Sequence, residues 1–582
     1  MKTRLFSLGL ICLFAVIARP LSADEPADPL RMLPEGAVAY LEIAQPQALL
    51  DRALDPSLHD TLMRVDGVQQ YFASDAYRQA QGLVNMLAAR LKVEWQPGLA
   101  DLVGGGVHLA IEPDPTSVLM IIKARRAELL TGLNDGLIEL IAASALVGGK
   151  PSPIKTEEYQ GIKGWSFGPN EVHAIIGDLL LVSNRTETLK AAIDRHLNAE
   201  SKSLTDVPEY QQARAMAGSG RTAWGLVRVA PLRQIPDFQK ALEGPSNNPL
   251  IELVLGGILD ALRHAPLAAA ALDVRSDSAT LAMHLPRDAS QVAPARAWYF
   301  APPGTAMPAA PRPKGTIGTL ATYRDLAGLW EAREQLFDET VKAGFAQADT
   351  GLSLFFSGRE FGPEVLGELT PHTQIVVAAQ EFSADAPVPA VKLPAEALIV
   401  EMKNPDAFQE TLLVAYQTIV GVVNLQSAQN LQPRLLLATE DCAGVSISKA
   451  TYIVDPQTPR ENASIHFNFS PSCARVGNRF ILGSTTAIVR DIVGALTAGM
   501  PAAPVDQNFV LELDAAGIAA ALDANRDLLI SQTMLSQGKT LEQADGQIKL
   551  ILDLVRAFGG GSVRLTTPAD SLKLEVSVGA SQ

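Results

Sequence analysis

The pattern of apolar and polar positions divides the chain into short strands and helices. Alternating apolar residues predict strands over 38–43, 224–229 and 509–513, and each is followed by a polar residue or a proline and then by apolar residues at helical spacing. Two apolar runs around Gly177-Asp178 predict a tight β-hairpin, because glycine supplies the positive φ that a two-residue turn needs. This mixture predicts an α+β fold with mostly antiparallel sheets and helices packed on one face.

Several segments of the first half recur in the same order in the second half. Residues 156–162 (TEEYQGI) match 439–445 (TEDCAGV) at an offset of 283, and the hairpin at 172–182 matches 472–482 at an offset of 300. The additional 17 residues fit the polar segment 451–468. Both halves also end in a helix followed by two alternating strands. We therefore predict two tandem homologous α+β domains, at 31–285 and 314–580.

The segment between these domains, 286–313, contains seven prolines. Prolines at this density are typical of a stiff, extended connector without regular structure. Trp298, Tyr299 and Phe300 lie inside it. Two interpretations stay open: an anchor buried between the domains, or an exposed patch that contacts a partner or a lipid surface.

The first residues have the pattern of a secretory signal peptide. Lys2 and Arg4 precede an apolar run of about 14 residues, which is too short to span a bilayer, and a small residue, Ala23, precedes an acidic start. Residues 1–23 are therefore predicted to be removed on export, which places the mature protein in the periplasm or the cell envelope.

No transmembrane helix is predicted after cleavage. The apolar segments 136–149 and 250–262 are interrupted by Glu139, Glu252 and Asp260, and they are interpreted as buried faces of soluble helices.

The composition is that of an acidic globular protein. There are 48 basic and 63 acidic residues and 47% hydrophobic residues. Because residues 1–23 hold three basic residues and no acidic one, cleavage moves the net charge from −15 to −18. A chain of this charge is not expected to bind nucleic acid, and an anionic membrane surface would repel it.

Two cysteines, Cys442 and Cys473, remain after cleavage. An even number in an oxidising compartment favours a disulfide. The duplication aligns them with Tyr159 and His173, on strands of one sheet region, so the sequence predicts a structural Cys442–Cys473 bridge.

No catalytic, cofactor or metal motif is complete. No two of the eight histidines lie within five residues of each other, so a helical HxxxH metal pair is absent from the sequence. The duplicated acidic pair gives the best carboxylate candidates, Glu157 and Glu440, which could cooperate only across the interface between the domains. A solvated turn position is the alternative for both.

Three sequence features resemble a family of exported bacterial proteins known only as a domain of unknown function. They are 33–40 (LPEGAVAY), 319–331 (TLATYRDLAGLWE) and 468–472 (NFSPS). The resemblance covers most of the mature chain and implies export, but it implies no catalytic residue.

These observations favour a non-enzymatic envelope protein that binds or scaffolds an envelope protein or ligand whose identity the sequence does not give, with no cofactor. An exported hydrolase that uses Glu157 and Glu440 is the alternative. A lipid carrier is a third possibility, and it predicts an apolar cavity between sheet and helices.

Overall fold

The computed structural model describes residues 27–113, 116–149, 151–198, 200–382, 386–454, 458–500 and 504–579. The predicted signal peptide lies outside these ranges. The described chain forms two compact units, the first made of 27–238 with Ala265–Leu285 and the second of Gln239–His264 with 286–579, apart from the gaps given above. The division after residue 285 coincides with the predicted end of the first domain, but the segment 239–264 belongs to the second unit.

The described part of the first unit contains one antiparallel sheet. Its strands are β1 (Ala39–Ile43), β2 (Gly106–Pro113), β3 (Thr116–Lys123), β4 (Lys155–Tyr159), β5 (Ile162–Gly168), β6 (Glu171–Ile176), β7 (Leu179–Ser183), β8 (Ala223–Arg228), β9 (Leu267–Val274) and β10 (Ser278–Pro286). They pair in the order β10-β9-β8-β1-β2-β3-β7-β6-β5-β4.

Helices connect these strands. They are α1 (Pro46–Ala53), α2 (Pro56–Leu62), α3 (Asp66–Phe72), α4 (Asp75–Leu91), α5 (Trp95–Val103), α6 (Ala127–Val147), α7 (Thr186–Leu197), α8 (Pro208–Ala217), α9 (Val229–Leu232), α10 (Pro236–Glu243) and α11 (Pro249–His264). The last of them, α11, lies between β8 and β9 in the sequence but packs in the second unit.

The second unit is built on a sheet of the same kind. Its described strands are β11 (Thr316–Tyr323), β12 (Leu369–Ala378), β13 (Ala395–Met402), β14 (Leu435–Cys442), β15 (Val445–Tyr452), β16 (Ser472–Val476), β17 (Arg479–Gly483), β18 (Gln507–Asp514), β19 (Gly560–Thr566) and β20 (Ser571–Gly579). The helices are α12 (Leu326–Leu336), α13 (Glu339–Phe355), α14 (Pro405–Gln429), α15 (Thr486–Ala498), α16 (Ala515–Asp523), α17 (Arg526–Gln537) and α18 (Leu541–Ala557).

The two sheets have the same strand order. The second sheet pairs as β20-β19-β18-β11-β12-β13-β17-β16-β15-β14, again with every pair antiparallel, which is the order of the first sheet with ten added to each number. The long helices α6 and α14 each follow the third strand, and α7 and α15 each follow the seventh. The fold is therefore α+β with antiparallel sheets; descent of the two halves from one duplicated domain stays a prediction.

Helices cover both faces of the central strands, and the expectation that they cover one face is wrong. In the first unit, Leu119 and Ile121 of β3 pack in one core with α7, whereas their neighbour Ile122 packs in a second core with Leu130 of α6. Successive strand residues point to opposite faces, so a strand with apolar residues at every position needs two covering layers.

The second unit repeats this arrangement. Ile399 and Ile481 pack against α15 on one face of the sheet, whereas Phe480 and Cys473 pack against α14 on the other. Helices α6 and α14 therefore cover the second face. Within the segment 136–149, which was interpreted as a buried face, Gly136 and Leu137 are buried, whereas Leu146 and Val147 are 82% and 90% exposed.

The proline-rich connector is more ordered than predicted. It forms two short 3₁₀ turns, Ala289–Gln291 and Pro294–Tyr299. The second turn packs on α11 so closely that a Cβ added at Gly257 would lie 2.1 Å from Cδ1 of Tyr299.

We predict that Gly257→Ala destabilises the protein by about 1–3 kcal/mol, because the added methyl group has no space beside the Tyr299 ring. The matched control is Gly546→Ala in α18, where an added Cβ meets nothing within 4 Å. The control is expected to gain about 0.5–1 kcal/mol from reduced backbone freedom. Urea unfolding measures both, and equal effects of the two substitutions would contradict the packing described here.

Candidate functional site

The aromatic triplet is buried. Trp298, Tyr299 and Phe300 are 4%, 0% and 8% exposed, so the interpretation of an exposed interaction patch is wrong. The Tyr299 hydroxyl donates to the Val254 carbonyl at 2.6 Å, and the Arg324 guanidinium lies 3.7 Å from the centre of the Tyr299 ring. All of these contacts lie within the second unit. Through Tyr299, which bonds to Val254 and packs on Gly257, the triplet contacts α11.

Helix α11 buries its charged residues and exposes its apolar ones. Glu252, 1% exposed, accepts from the Arg296 Nε at 2.6 Å, and Asp260 accepts from the Ala293 amide at 3.3 Å. Burial raises the pKa of Asp260. Leu250 on the opposite side is 70% exposed. The interpretation of 250–262 as a buried apolar face is therefore wrong, because the ion pair with Arg296 orients the helix the other way.

The predicted Cys442–Cys473 bridge is not formed, and both thiols are free. Cys442 lies on β14 and Cys473 on β16, and β15 runs between them. Two ladder spacings separate such residues by roughly 10 Å, whereas a disulfide requires Cα atoms within about 7 Å. Cys473 is buried against α14, and this burial raises its pKa to about 12.

The two carboxylate candidates form ion pairs within their own units. Glu157 on β4 accepts from Nζ of Lys190 on α7 at 2.5 Å. Glu440 on β14 accepts from Lys449 at 2.6 Å and from Arg490 on α15 at 2.7 Å. Hydrogen bonds from Lys449 and Arg490 lower the pKa of Glu440. Each carboxylate thus joins an outer strand to the helix beside it.

A buried polar cluster in the first unit escaped the sequence analysis. The Tyr40 hydroxyl lies 2.9 Å from Nδ1 of His108 and 3.2 Å from Glu42, which also accepts from the Trp224 indole at 2.7 Å. Burial raises the pKa of Tyr40 and lowers that of His108. Glu112, four residues after His108 on the same strand, accepts from Ser117 and takes no part in this cluster.

The second unit has a related cluster. Glu401 lies 3.3 Å from Nδ1 of His372 and accepts from Nε of Arg479 at 3.1 Å, and the Tyr323 ring contacts His372 edge-on. Burial acts to raise the pKa of Glu401, but the hydrogen bonds and charges of His372 and Arg479 outweigh it, so the pKa lies below its usual range.

Hydrogen bonds between strands account for both clusters. The His108 ring contacts the Tyr40 hydroxyl and the His372 ring contacts Glu401, while Thr370 accepts from the backbone amide of His372. Among the described residues, no three His, Cys, Asp or Glu side chains converge as metal ligands. These groups bond to one another in the sheet interior, although Nε2 of His372 is buried without a hydrogen-bond partner among the described residues.

One face of the first sheet is apolar without a full cover. It is formed by β1, β2, β8, β9 and β10 on the side opposite Tyr40, and strand register places its residues in rows such as Leu109–Leu41–Gly225–Ala270–Met283. None of its half-exposed or exposed side chains is charged. They are Ala39, Leu41, Ile43, Val107, Leu109, Ile111, Pro113, Val227, Ala268, Ala270, Leu272, Val274, Ala279, Leu281 and Met283. We call this surface the apolar sheet face.

The second sheet exposes apolar residues at corresponding places. Ile375, Leu398 and Leu513 are 36%, 39% and 42% exposed. Ile375 and Leu398 are direct partners across β12 and β13. The sequence signal was available, because strands such as 106–111 carry apolar residues at both alternating positions; sequence alone left open which face a helix covers.

Two depressions in the first unit are shallow and open. One of about 470 Å³ is lined by Tyr210, Arg214 and Ser219, and one of about 410 Å³ by Asn85, Val93 and Trp95. Neither is the enclosed apolar cavity that the carrier hypothesis predicts.

Comparisons with known proteins give weak likeness only. No family model matches the chain, and no curated protein matches it. Two solved structures that resemble it are crystal forms IV and I of TP0453, each 11% identical and covering 45% of this chain. The matched regions span 81% and 79% of the respective TP0453 chains, with TM-scores of 0.25 and 0.24. No function is inferred from a likeness of this size.

We predict that native protein reacts with a thiol reagent at Cys442 and not at Cys473, because burial keeps the second thiol protonated and inaccessible. Peptide mass mapping after alkylation in native buffer and in denaturant measures this. Denatured protein is expected to label at both positions without prior reduction; a requirement for reduction would reinstate the disulfide.

We predict that Glu401→Gln destabilises the protein by about 1–3 kcal/mol at neutral pH, because His372 and Arg479 lose a buried partner. Since the folded pKa of Glu401 is lowered, its contribution is present above the ordinary glutamate pKa of about 4.3 and disappears as pH falls through the folded value. Unfolding curves at several pH values test this. Exposed Glu396→Gln on the same strand is the control and should change stability by less than about 0.5 kcal/mol.

Proposed function

We propose that this chain is an exported, non-enzymatic binding protein of the cell envelope, and that its ligand or partner contacts the apolar sheet face with an apolar group. The observation that carries the proposal is the absence of any charged side chain among the half-exposed residues of this face, across five adjacent strands. Contiguous exposed apolar surfaces of this kind mark interaction sites in soluble proteins. Export rests on the signal-peptide pattern of residues 1–23.

The chemistry of the face restricts what it can hold. In the interior of a sheet, the backbone N–H and C=O groups are already paired in the ladder, so the face offers side-chain methyl and methylene groups and no hydrogen bonds. A polar group placed there would lose its water without a replacement partner, whereas an apolar group would gain from leaving water. The ligand is therefore expected to present hydrocarbon to this surface.

A hydrolase that uses Glu157 and Glu440 receives no support from their surroundings. A general acid needs a raised pKa, yet ion pairs lower the pKa of Glu440. Glu157 forms an ion pair with Lys190. Both carboxylates have a sufficient structural explanation.

The proposal predicts that Leu41→Gln with Met283→Gln weakens binding of the hydrophobic dye Nile red about tenfold or more, because each substitution places an amide within the apolar sheet face. Leu197→Gln is the matched control, since Leu197 is also exposed, 50%, but lies at the end of α7.

Native mass spectrometry of protein purified from its own envelope completes the test. A co-purifying hydrophobic molecule that is lost in the double variant would support the proposal, and the same spectrum would show whether the chain begins at Asp24. Equal dye binding by the double variant, the control and the unmodified protein would refute it.

A further inference from the structure

Two helices are long and apolar enough to span a bilayer by length and composition, namely α6 and α14. At 1.5 Å per residue they are about 31 Å and 37 Å long. Only 28% and 22% of their most apolar windows are buried, which is low for core helices. Each nevertheless packs one side on its sheet, as Phe408 and Tyr416 of α14 and Leu130 of α6 show. That no helix spans the membrane stays a prediction.

The exposed side of α14 lacks the charges that a solvated helix carries. From Thr411 to Pro433 the sequence contains no charged residue, in a chain of which 19% is charged. Ile419, Val422 and Leu425, spaced at three residues, are 44%, 38% and 62% exposed. A stripe of this kind is typical of a helix that meets an apolar phase rather than water.

The stripe continues onto the elements that follow α14. Leu431 is 96% exposed, Leu436 58%, Ile453 55% and Val454 52%. Hydrogen bonds hold these segments together. Asn424 of α14 bonds to Leu435 of β14 through both its amide atoms, at 2.9 and 2.6 Å, and the Ile453 amide donates to the Arg434 carbonyl at 3.0 Å. We call Val422, Leu425, Leu431, Leu436, Ile453 and Val454 the apolar tip.

We propose that the apolar tip of the second unit docks onto a phospholipid bilayer, with its leucine and isoleucine side chains among the acyl chains. Charge complementarity favours this occupant. The tip itself is neutral. The charged residues that border it in the sequence are Arg434, which is exposed, and Asp455, which directly follows Val454, and their opposite charges match the phosphate and the ammonium of a zwitterionic headgroup rather than an anionic one. Leu146 and Val147 at the end of α6, 82% and 90% exposed, give the first unit an apolar end at the corresponding helix.

Because the apolar tip is uncharged, it can dock on a bilayer although the chain as a whole is acidic. The net charge of −18 expected for the mature chain opposes binding to anionic lipid, but docking that depends on apolar insertion needs no anionic headgroup. The interaction is therefore expected with zwitterionic phosphatidylcholine and is expected to persist in high salt, because burial of hydrocarbon is not screened.

Flotation with phosphatidylcholine vesicles tests the proposal on the full mature chain. Leu425→Glu is expected to lower the vesicle-bound fraction about tenfold, since an exposed leucine that inserts is replaced by a charge. Leu535→Glu is the control, because Leu535 is also exposed, 87%, but lies on α17. Unchanged circular dichroism and melting temperature would show that both variants are folded.

A tryptophan reporter gives a second readout. Leu425→Trp should shift its emission to the blue and be quenched by brominated phosphatidylcholine, whereas Leu535→Trp should not. Failure of the unmodified protein to float, or equal flotation of Leu425→Glu, would overturn the proposal. So would a dimer that Leu425→Glu dissociates, because a second copy would then cover the tip. The Leu41→Gln, Met283→Gln variant should float normally, so this result is independent of the apolar sheet face.

Discussion

The antiparallel ladder is the constraint on which the rest of this molecule depends. Each sheet carries apolar residues on both faces of its central strands, so neither face is stable in water until a helix covers it. Helices α7 and α15 cover one face, and α6 and α14 cover the other. In the first sheet, the neighbouring strands β1, β2, β8, β9 and β10 lack a full cover on one side and leave the apolar sheet face half exposed. The cores and the proposed binding surface are thus two outcomes of one sequence pattern.

Local sequence patterns predicted the elements well. The hairpin at 172–182 follows from Gly177, whose φ of +59° only glycine adopts readily, and the match at 472–482 follows from Gly477 at +63°. The duplicated glutamate forms an ion pair with a basic residue at the equivalent helix position in both halves. Glu157 pairs with Lys190 and Glu440 with Arg490, although the offset between the halves changes from 283 to 300 along the way. Such a pair joins a hairpin to a helix and needs no catalytic explanation.

Contacts between distant segments account for what the sequence did not predict. A strand between Cys442 and Cys473 prevents the bridge, and only the order of strands reveals it. Arg296, 44 residues after Glu252, decides which side of α11 is buried. The same contact explains why Trp298, Tyr299 and Phe300 are interior residues in a segment whose prolines indicated an open connector. The site clusters around His108 and His372 were missed for the same reason, because their partners come from neighbouring strands.

The position of α11 has a consequence for biosynthesis. The ribosome completes this helix before it makes Arg296, Tyr299 and Arg324, which bond to it in the folded protein. Strands β9 and β10, which finish the first sheet, emerge directly after the helix. All strands of the first sheet thus precede Arg296 and the Ala293 amide, the groups that bond to Glu252 and Asp260. All residues of the first unit have been synthesised once Leu285 is made. Helix α11, which lies within that part of the sequence, has its packing partners only after the second unit has been synthesised.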